Sequence, residues 1–212
     1  MDIDEILTDL RRDGWATANG KPADLSSALA RHGYRSAHTQ RGAARQILRP
    51  LKIGDAPPRS MSARYGLDAQ PLHSDGAHLR VPPDVVVLAA AEPNSTPTML
   101  WSATFGGVSE WHPEFAQYGT FTVRNGRDSF LAPAAEGARV RVDPACMSPA
   151  DGYARQAEEY FQALPTIAHQ WSLPDTLLII NNRLCLHARG AIVSGDEERA
   201  LERLTFQWSD IS

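Results

Sequence analysis

The segment Pro82-Pro83-Asp84-Val85-Val86-Val87-Leu88-Ala89 limits the fold more than any other in the chain. Its apolar run ends at Ala91, is rich in β-branched residues and follows two prolines. That pattern fits a strand buried on both faces, and the run is far shorter than the roughly 18 residues a membrane helix needs. Further short strands are expected over 98–101, 119–123, 138–142, 176–180 and 205–208, each bounded by turn residues. Helical periodicity is confined to a few places. Ile3, Ile6, Leu7 and Leu10 share a face that Gly14 ends, and Asp24 caps a short helix that closes near Gly33. Residues 151–164 form one later helix, with Tyr153, Ala157, Tyr160, Phe161 and Leu164 on one side. Residues 34–71 give little signal and read as loop. Strands that do not alternate with helices argue against a doubly wound sheet. They favour a mainly β (α+β) barrel of two antiparallel sheets, of jelly-roll type, with helices outside.

With 212 residues the chain suits one domain, residues 1–212. Within it, 1–60 reads as a helical flank, 61–212 as the jelly-roll core, and about 103–165 as a small lid. A net charge of -4 gives no basic footprint, so neither nucleic acid nor a membrane is an expected partner; a small-molecule substrate is. Cys146 and Cys185 form no zinc pattern or disulfide framework, and the acidic amphipathic start is unlike a signal peptide. The expected location is therefore the reducing cytoplasm. Arginine outnumbers lysine nineteen to two, so an arginine marks an anion site only through its position.

The chain has no GxSxG elbow, phosphate-binding GxxxxGK[ST] loop, GxGxxG turn or HExxH pair. What remains is His73-Ser74-Asp75 and the distant His187. On an extended segment residues i and i+2 face the same way, so His73 and Asp75 can present an imidazole and a carboxylate together. A histidine from another strand would complete a two-His-one-carboxylate set, which leaves open positions on Fe(II). The pattern alone is weak: this composition gives about 0.8 chance matches, and His112-Pro113-Glu114 is a second one. Its proline disfavours a paired strand, so that pair reads as a surface decoy.

Context adds specificity. Pro71-Leu72-His73-Ser74-Asp75-Gly76 precedes the valine-rich strand, and Leu177-Leu178-Ile179-Ile180-Asn181-Asn182-Arg183 leads into Leu186-His187-Ala188-Arg189. Arg199-Ala200-Leu201-Glu202-Arg203 follows. Over roughly residues 60–105 and 170–208 the chain resembles the iron(II)/2-oxoglutarate oxygenases of the TauD/TfdA, clavaminate synthase-like group. The resemblance implies a double-stranded β-helix (jelly roll, cupin-like) with flanking helices, in which His73, Asp75 and His187 bind Fe(II). It further implies that Arg199, twelve residues after His187, and Thr98 hold the far carboxylate of 2-oxoglutarate. Arg203, sharing a strand face with Arg199, would meet an acidic group of the substrate. The implied reaction hydroxylates a C–H of an amino acid or specialised-metabolite intermediate, consuming O2 and releasing succinate and CO2. The alternative is a cupin-like metal-dependent isomerase, lyase or binding protein that does not use 2-oxoglutarate.

The remaining candidates have simpler readings. His32, His38 and His169 read as surface or loop histidines, His78 as a possible substrate contact, and Trp101, Trp171 and Trp208 as core or rim aromatics. Cys185 reads as a packing residue on the side of His187. Only 111 residues separate Asp75 from His187, which leaves room for a small lid.

Overall fold

The computed structural model describes residues 1–37, 45–58, 60–104 and 112–209. The N-terminal part contains α1 (Ile3–Arg12), β1 (Trp15–Asn19), α2 (Pro22–Arg31), β2 (Tyr34–Ser36), β3 (Arg45–Leu48) and α3 (Met61–Tyr65). The middle runs through β4 (Val85–Ala90), β5 (Asn94–Ser102), α4 (Glu114–Tyr118), β6 (Phe121–Asn125), β7 (Asp128–Ala132), β8 (Ala135–Glu136) and β9 (Arg139–Val140). It closes with β10 (Met147–Pro149), α5 (Gly152–Gln162), β11 (Ile167–Trp171), β12 (Thr176–Asn181), β13 (Cys185–Arg189) and β14 (Leu201–Trp208).

The larger sheet is antiparallel in the order β1-β12-β4-β14, and β2 and β3 pair with different stretches of the outer edge of β14. Strand alternation divides its side chains. Val86, Leu88, Ala90, Leu178, Ile180 and Leu201 turn inward and meet Leu100, Trp171 and Cys185 from the opposing sheet. Val85, Val87, Ala89, Leu177, Ile179 and Phe206 turn outward, against Ile6 and Leu10 of α1 and Leu25 and Leu29 of α2. The valine run is thus buried on both faces because helices cover the back of its sheet. The smaller sheet has the order β11-β5-β13, and an isolated antiparallel bridge between His73 and His187 extends it by one step. Its outer face packs Trp101, Leu186 and Ala188 against residues of α4, α5 and the three-stranded sheet β10-β6-β7. Two facing antiparallel sheets with helices outside make the double-stranded β-helix that the sequence implies.

Several local expectations change. Helix α2 starts at Pro22, with Pro in its first turn, so Asp24 lies inside that turn and is not the cap. The 138–142 segment keeps only the two residues of β9, because it turns back on β8 through Gly137 at φ +60°. The last strand begins at Leu201, four residues early. The poorly patterned 34–71 region contains β2, β3 and α3. Tyr153 is exposed, while Ala154, Ala157 and Phe161 form the buried face of α5. His38 and residues 105–111 of the expected lid lie outside the described residues.

Asp151 caps α5 by accepting from the Ala154 N–H at 2.7 Å, and it also accepts from the Thr120 N–H at 2.9 Å. The Ala154 and then the Thr120 hydrogen bond hold its carboxyl below the ordinary value of 3.8. A depressed pKa adds stability above that value and loses it as pH falls through the folded-state pKa. Urea denaturation from pH 6 downward should therefore show wild type more stable than Asp151→Asn near pH 6, with the difference narrowing as the pH falls below 3.8. A constant difference across that range would contradict this role.

Candidate metal centre

His187 lies on β13, His73 meets it at the isolated bridge, and Asp75 stands in the turn that follows. His73 and His187 exchange backbone hydrogen bonds, each N–H donating to the other's carbonyl at 3.0 Å. Ser74 faces away, its N–H donating to the Val142 carbonyl at 2.7 Å and its Oγ accepting from the Val142 N–H at 3.1 Å. Asp75 is held from the other side by the fully buried Asn182. The Asn182 Oδ1 accepts from the Asp75 N–H at 2.8 Å, and its Nδ2 donates to the carbonyls of Asp75 and Pro83, both at 2.9 Å. The chain then turns sharply at Gly76, whose φ is +69° and whose missing Cβ would lie 2.7 Å from Pro83.

One ligand atom from each of His73, Asp75 and His187 lies within 4.8 Å of the other two, and all three residues are buried. The His73 Nδ1 lies 3.1 Å from the Pro71 carbonyl, which places a proton on Nδ1 and leaves Nε2 as a lone-pair donor. The His187 Nε2 and Asp75 Oδ2 stand 4.0 Å apart, too far for a hydrogen bond. Asp75 Oδ1 accepts from Arg203 at 2.7 Å, while Oδ2 is buried with no hydrogen-bond partner among the described residues. Burial would raise the Asp75 pKa, but Arg203, His187, His73 and His78 outweigh it and hold the carboxyl below its ordinary value. Burial, then His73, pushes His187 down to about 3 against the opposing pull of Asp75. The site therefore combines an ionised carboxylate, carrying a bare oxygen, with a deprotonated imidazole. Ligands must be deprotonated to bind a metal, and an unpaired buried charge is costly, so this donor set fits a divalent cation.

The centre opens into a cleft of about 770 Å³ lined by Thr98, Arg199, Arg203 and His78, among others. Thr98 is buried on β5, and its Oγ1 accepts from the Trp171 indole at 3.2 Å. Arg199 precedes β14 and so shares no strand face with Arg203; a turn brings it to the same cleft. There its Nη1 donates to Asn94 Oδ1 at 2.8 Å and to the Thr96 carbonyl at 2.6 Å. Burial, then the charge of Arg189, pushes Arg199 down to about 10, leaving it cationic at neutral pH. Asp196 fixes this turn: its Oδ2 accepts from the Thr96 N–H and the Thr96 hydroxyl, both at 2.6 Å. Arg203 donates to Gln46 of β3 as well as to Asp75, so its fork is anchored at the metal centre.

Other histidines are placed differently from their readings. His112 is buried, with Trp101 and Phe161 each 6.2 Å away between ring centroids, and Glu114 opens α4; neither joins the ligand cluster. The pair is thus outside the ligand cluster, as expected, and Glu114 is exposed, but His112 is not on the surface. His32 ends α2 beside Asp4, and His169 is half-buried on β11 against Trp171. Cys185 packs in the barrel core. The supports Asn182, Asp196 and Gln46 were not singled out in the sequence. Only Asn182, inside the Asn-Arg turn after an apolar strand, carried a local signal.

No family model matches the sequence, and no curated protein matches it. Solved structures do share its fold. Asparagine oxygenase, in complex with Fe(II), 2S,3S-3-hydroxyasparagine and succinate, is 19% identical and superposes with a TM-score of 0.71 over 97% of this chain and 79% of its own. The non-heme iron oxygenase OrfP, in complex with Fe, succinate and (3S)-hydroxy-L-Arg, is 15% identical, with a TM-score of 0.69 over 98% of this chain and 81% of its own. PvcB from Pseudomonas aeruginosa is 18% identical, with a TM-score of 0.63 over 97% and 80%. At identities this low, the superpositions establish the shared fold alone.

Calorimetric Fe(II) or Mn(II) titration under anaerobic conditions should find binding abolished by His73→Ala, Asp75→Ala or His187→Ala and unchanged by Glu114→Ala. Asn182→Ala should weaken binding roughly ten- to hundredfold, the usual cost of losing a ligand's support. Wild-type affinity in Asp75→Ala would remove that residue from the ligand set.

Proposed function

We propose that the chain is an Fe(II)/2-oxoglutarate-dependent dioxygenase that hydroxylates an unactivated C–H of a small molecule. The observation that carries this reading is the buried His73, Asp75 and His187 cluster at a cleft that also holds Arg199 and Thr98. Bound Fe(II) would supply the oxidation, with 2-oxoglutarate and O2 as co-substrates and succinate and CO2 as co-products. The fold that the chain shares with asparagine oxygenase and OrfP makes a free amino acid or a related metabolite the first substrate class to try.

The protein's own groups bind and orient. Arg199 stays charged and presents a planar fork that matches a carboxylate in two parallel bonds. Thr98, already accepting a hydrogen bond from Trp171, has its hydroxyl proton left to donate to the same carboxylate. The side chains of Leu88 and Leu201 beside them exclude water and strengthen those contacts. Arg203 faces the cleft from the metal side and is assigned the acidic group of the substrate nearest the reacting carbon. Because it also carries Asp75, it couples substrate position to the carboxylate ligand.

Succinate release from 2-oxoglutarate, measured with Fe(II) in air, tests the reading; a metal-dependent isomerase would release none. Losing one charge-assisted contact costs on the order of 1.5–3 kcal/mol, a roughly ten- to hundredfold loss of affinity. Arg199→Ala should raise the 2-oxoglutarate requirement by that factor and leave metal affinity unchanged. Arg203→Ala should weaken metal binding as well, since it strips Asp75 of its cation. Equal effects on 2-oxoglutarate with no effect on metal would merge the two arginines into one clamp.

A further inference from the structure

The cleft runs against the charge of the chain. The protein carries a net charge of -4, yet among the described residues the cleft is lined by Arg49, Arg64, Arg124, Arg189, Arg199 and Arg203 against only Asp75 and Asp143. Most of these arginines have a structural task. Arg189 donates to the carbonyls of Gly66 and Asp68, Arg49 to that of Glu198, and Arg203 to Asp75 and Gln46. Arg199 donates to Asn94 and Thr96. Arg64, like Arg49, serves one backbone carbonyl, but it shares its surroundings with Arg124. Both lie against the 143–146 turn: Arg64 Nη1 donates to the Pro144 carbonyl, and the Arg124 backbone N–H donates to the Cys146 carbonyl at 2.8 Å. The Arg124 guanidinium has no hydrogen bond or ion pair with any described residue, and Arg64 has no carboxylate partner among them. The carboxylate of that turn, Asp143, already accepts from the Ala145 N–H at 2.7 Å and the Cys146 thiol at 3.4 Å.

We infer that Arg64 and Arg124 form an oxyanion subsite, and that the substrate is an organic anion whose carboxylate, sulfonate or phosphate docks there. The inference deepens the oxygenase reading and rests on it. Both side chains are exposed and line the same cleft, where an oxyanion reached by both would gain charge-assisted hydrogen bonds. A guanidinium has five N–H donors, so Arg64 keeps donors for a ligand after serving Pro144. The two arginines come from α3 and β6, whereas Arg199 and Arg203 come from the chain around the start of β14. An acid held at the 143–146 turn would therefore be anchored from different elements than the co-substrate, which sets the substrate's direction across the metal.

Inorganic phosphate titrated into isotope-labelled protein, alone and again with Zn(II) and 2-oxoglutarate bound, tests the subsite through the arginine side-chain resonances. Saturable shifts at Arg64 and Arg124 are expected, with a dissociation constant on the order of millimolar. Arg64→Gln and Arg124→Gln should each weaken binding about fivefold or more, and the double variant should abolish it. Arg35→Gln, on exposed β2 outside the cleft, should change nothing. No saturable shift at either arginine, or full affinity in the double variant, overturns the subsite. The oxygenase reading fails separately, through absent 2-oxoglutarate binding in the loaded sample, and the titration on protein alone still decides the subsite.

Discussion

The site depends on the backbone grip that ties the His73–Asp75 segment to the middle of β13 and to the residue after β12. Three buried ionisable groups gathered at the end of a cleft resist one another and lose hydration. They stay together because their backbones have little freedom to relax. The reciprocal bridge fixes His73 to His187, and the carboxamide of Asn182 satisfies both backbone groups of Asp75. Behind them, the larger sheet is packed on both faces, so β12 cannot shift without opening two cores. Neighbouring charges then set the protonation states. Arg203 keeps Asp75 ionised against its own burial, and burial keeps His187 deprotonated.

Much of this was legible in the sequence where the signal is local. The valine run announced a strand covered on both sides, and the i, i+2 spacing of His73 and Asp75 announced a shared face. The order of the three motifs pointed to the barrel. Elements that exist only through distant pairing were not legible. β1 has little sequence character and gains its structure by pairing with β12, some 160 residues away. β3 alternates exposed and half-buried residues at a sheet edge, and only its pairing with β14 brings Gln46 to Arg203.

The late arginines show the same division. Their spacing suggested one strand face, yet Arg199 reaches the cleft from a turn fastened by Asp196, Asn94 and Thr96. That turn can be recognised only once β5 is known to lie beside it. A similar reason explains His112. Its proline-flanked motif looked superficial, but α4 and α5 pack over the smaller sheet and bury it. Side chains tied by long-range hydrogen bonds are therefore where sequence reading fell short, and several of those ties support the site.

Anaerobic absorption spectroscopy of the Fe(II)-loaded protein titrated with 2-oxoglutarate tests the central claim most directly. The account predicts a weak visible charge-transfer band that saturates with one equivalent of 2-oxoglutarate and is absent in Asp75→Ala and His187→Ala. Wild-type protein that binds Fe(II) but develops no such band would contradict it.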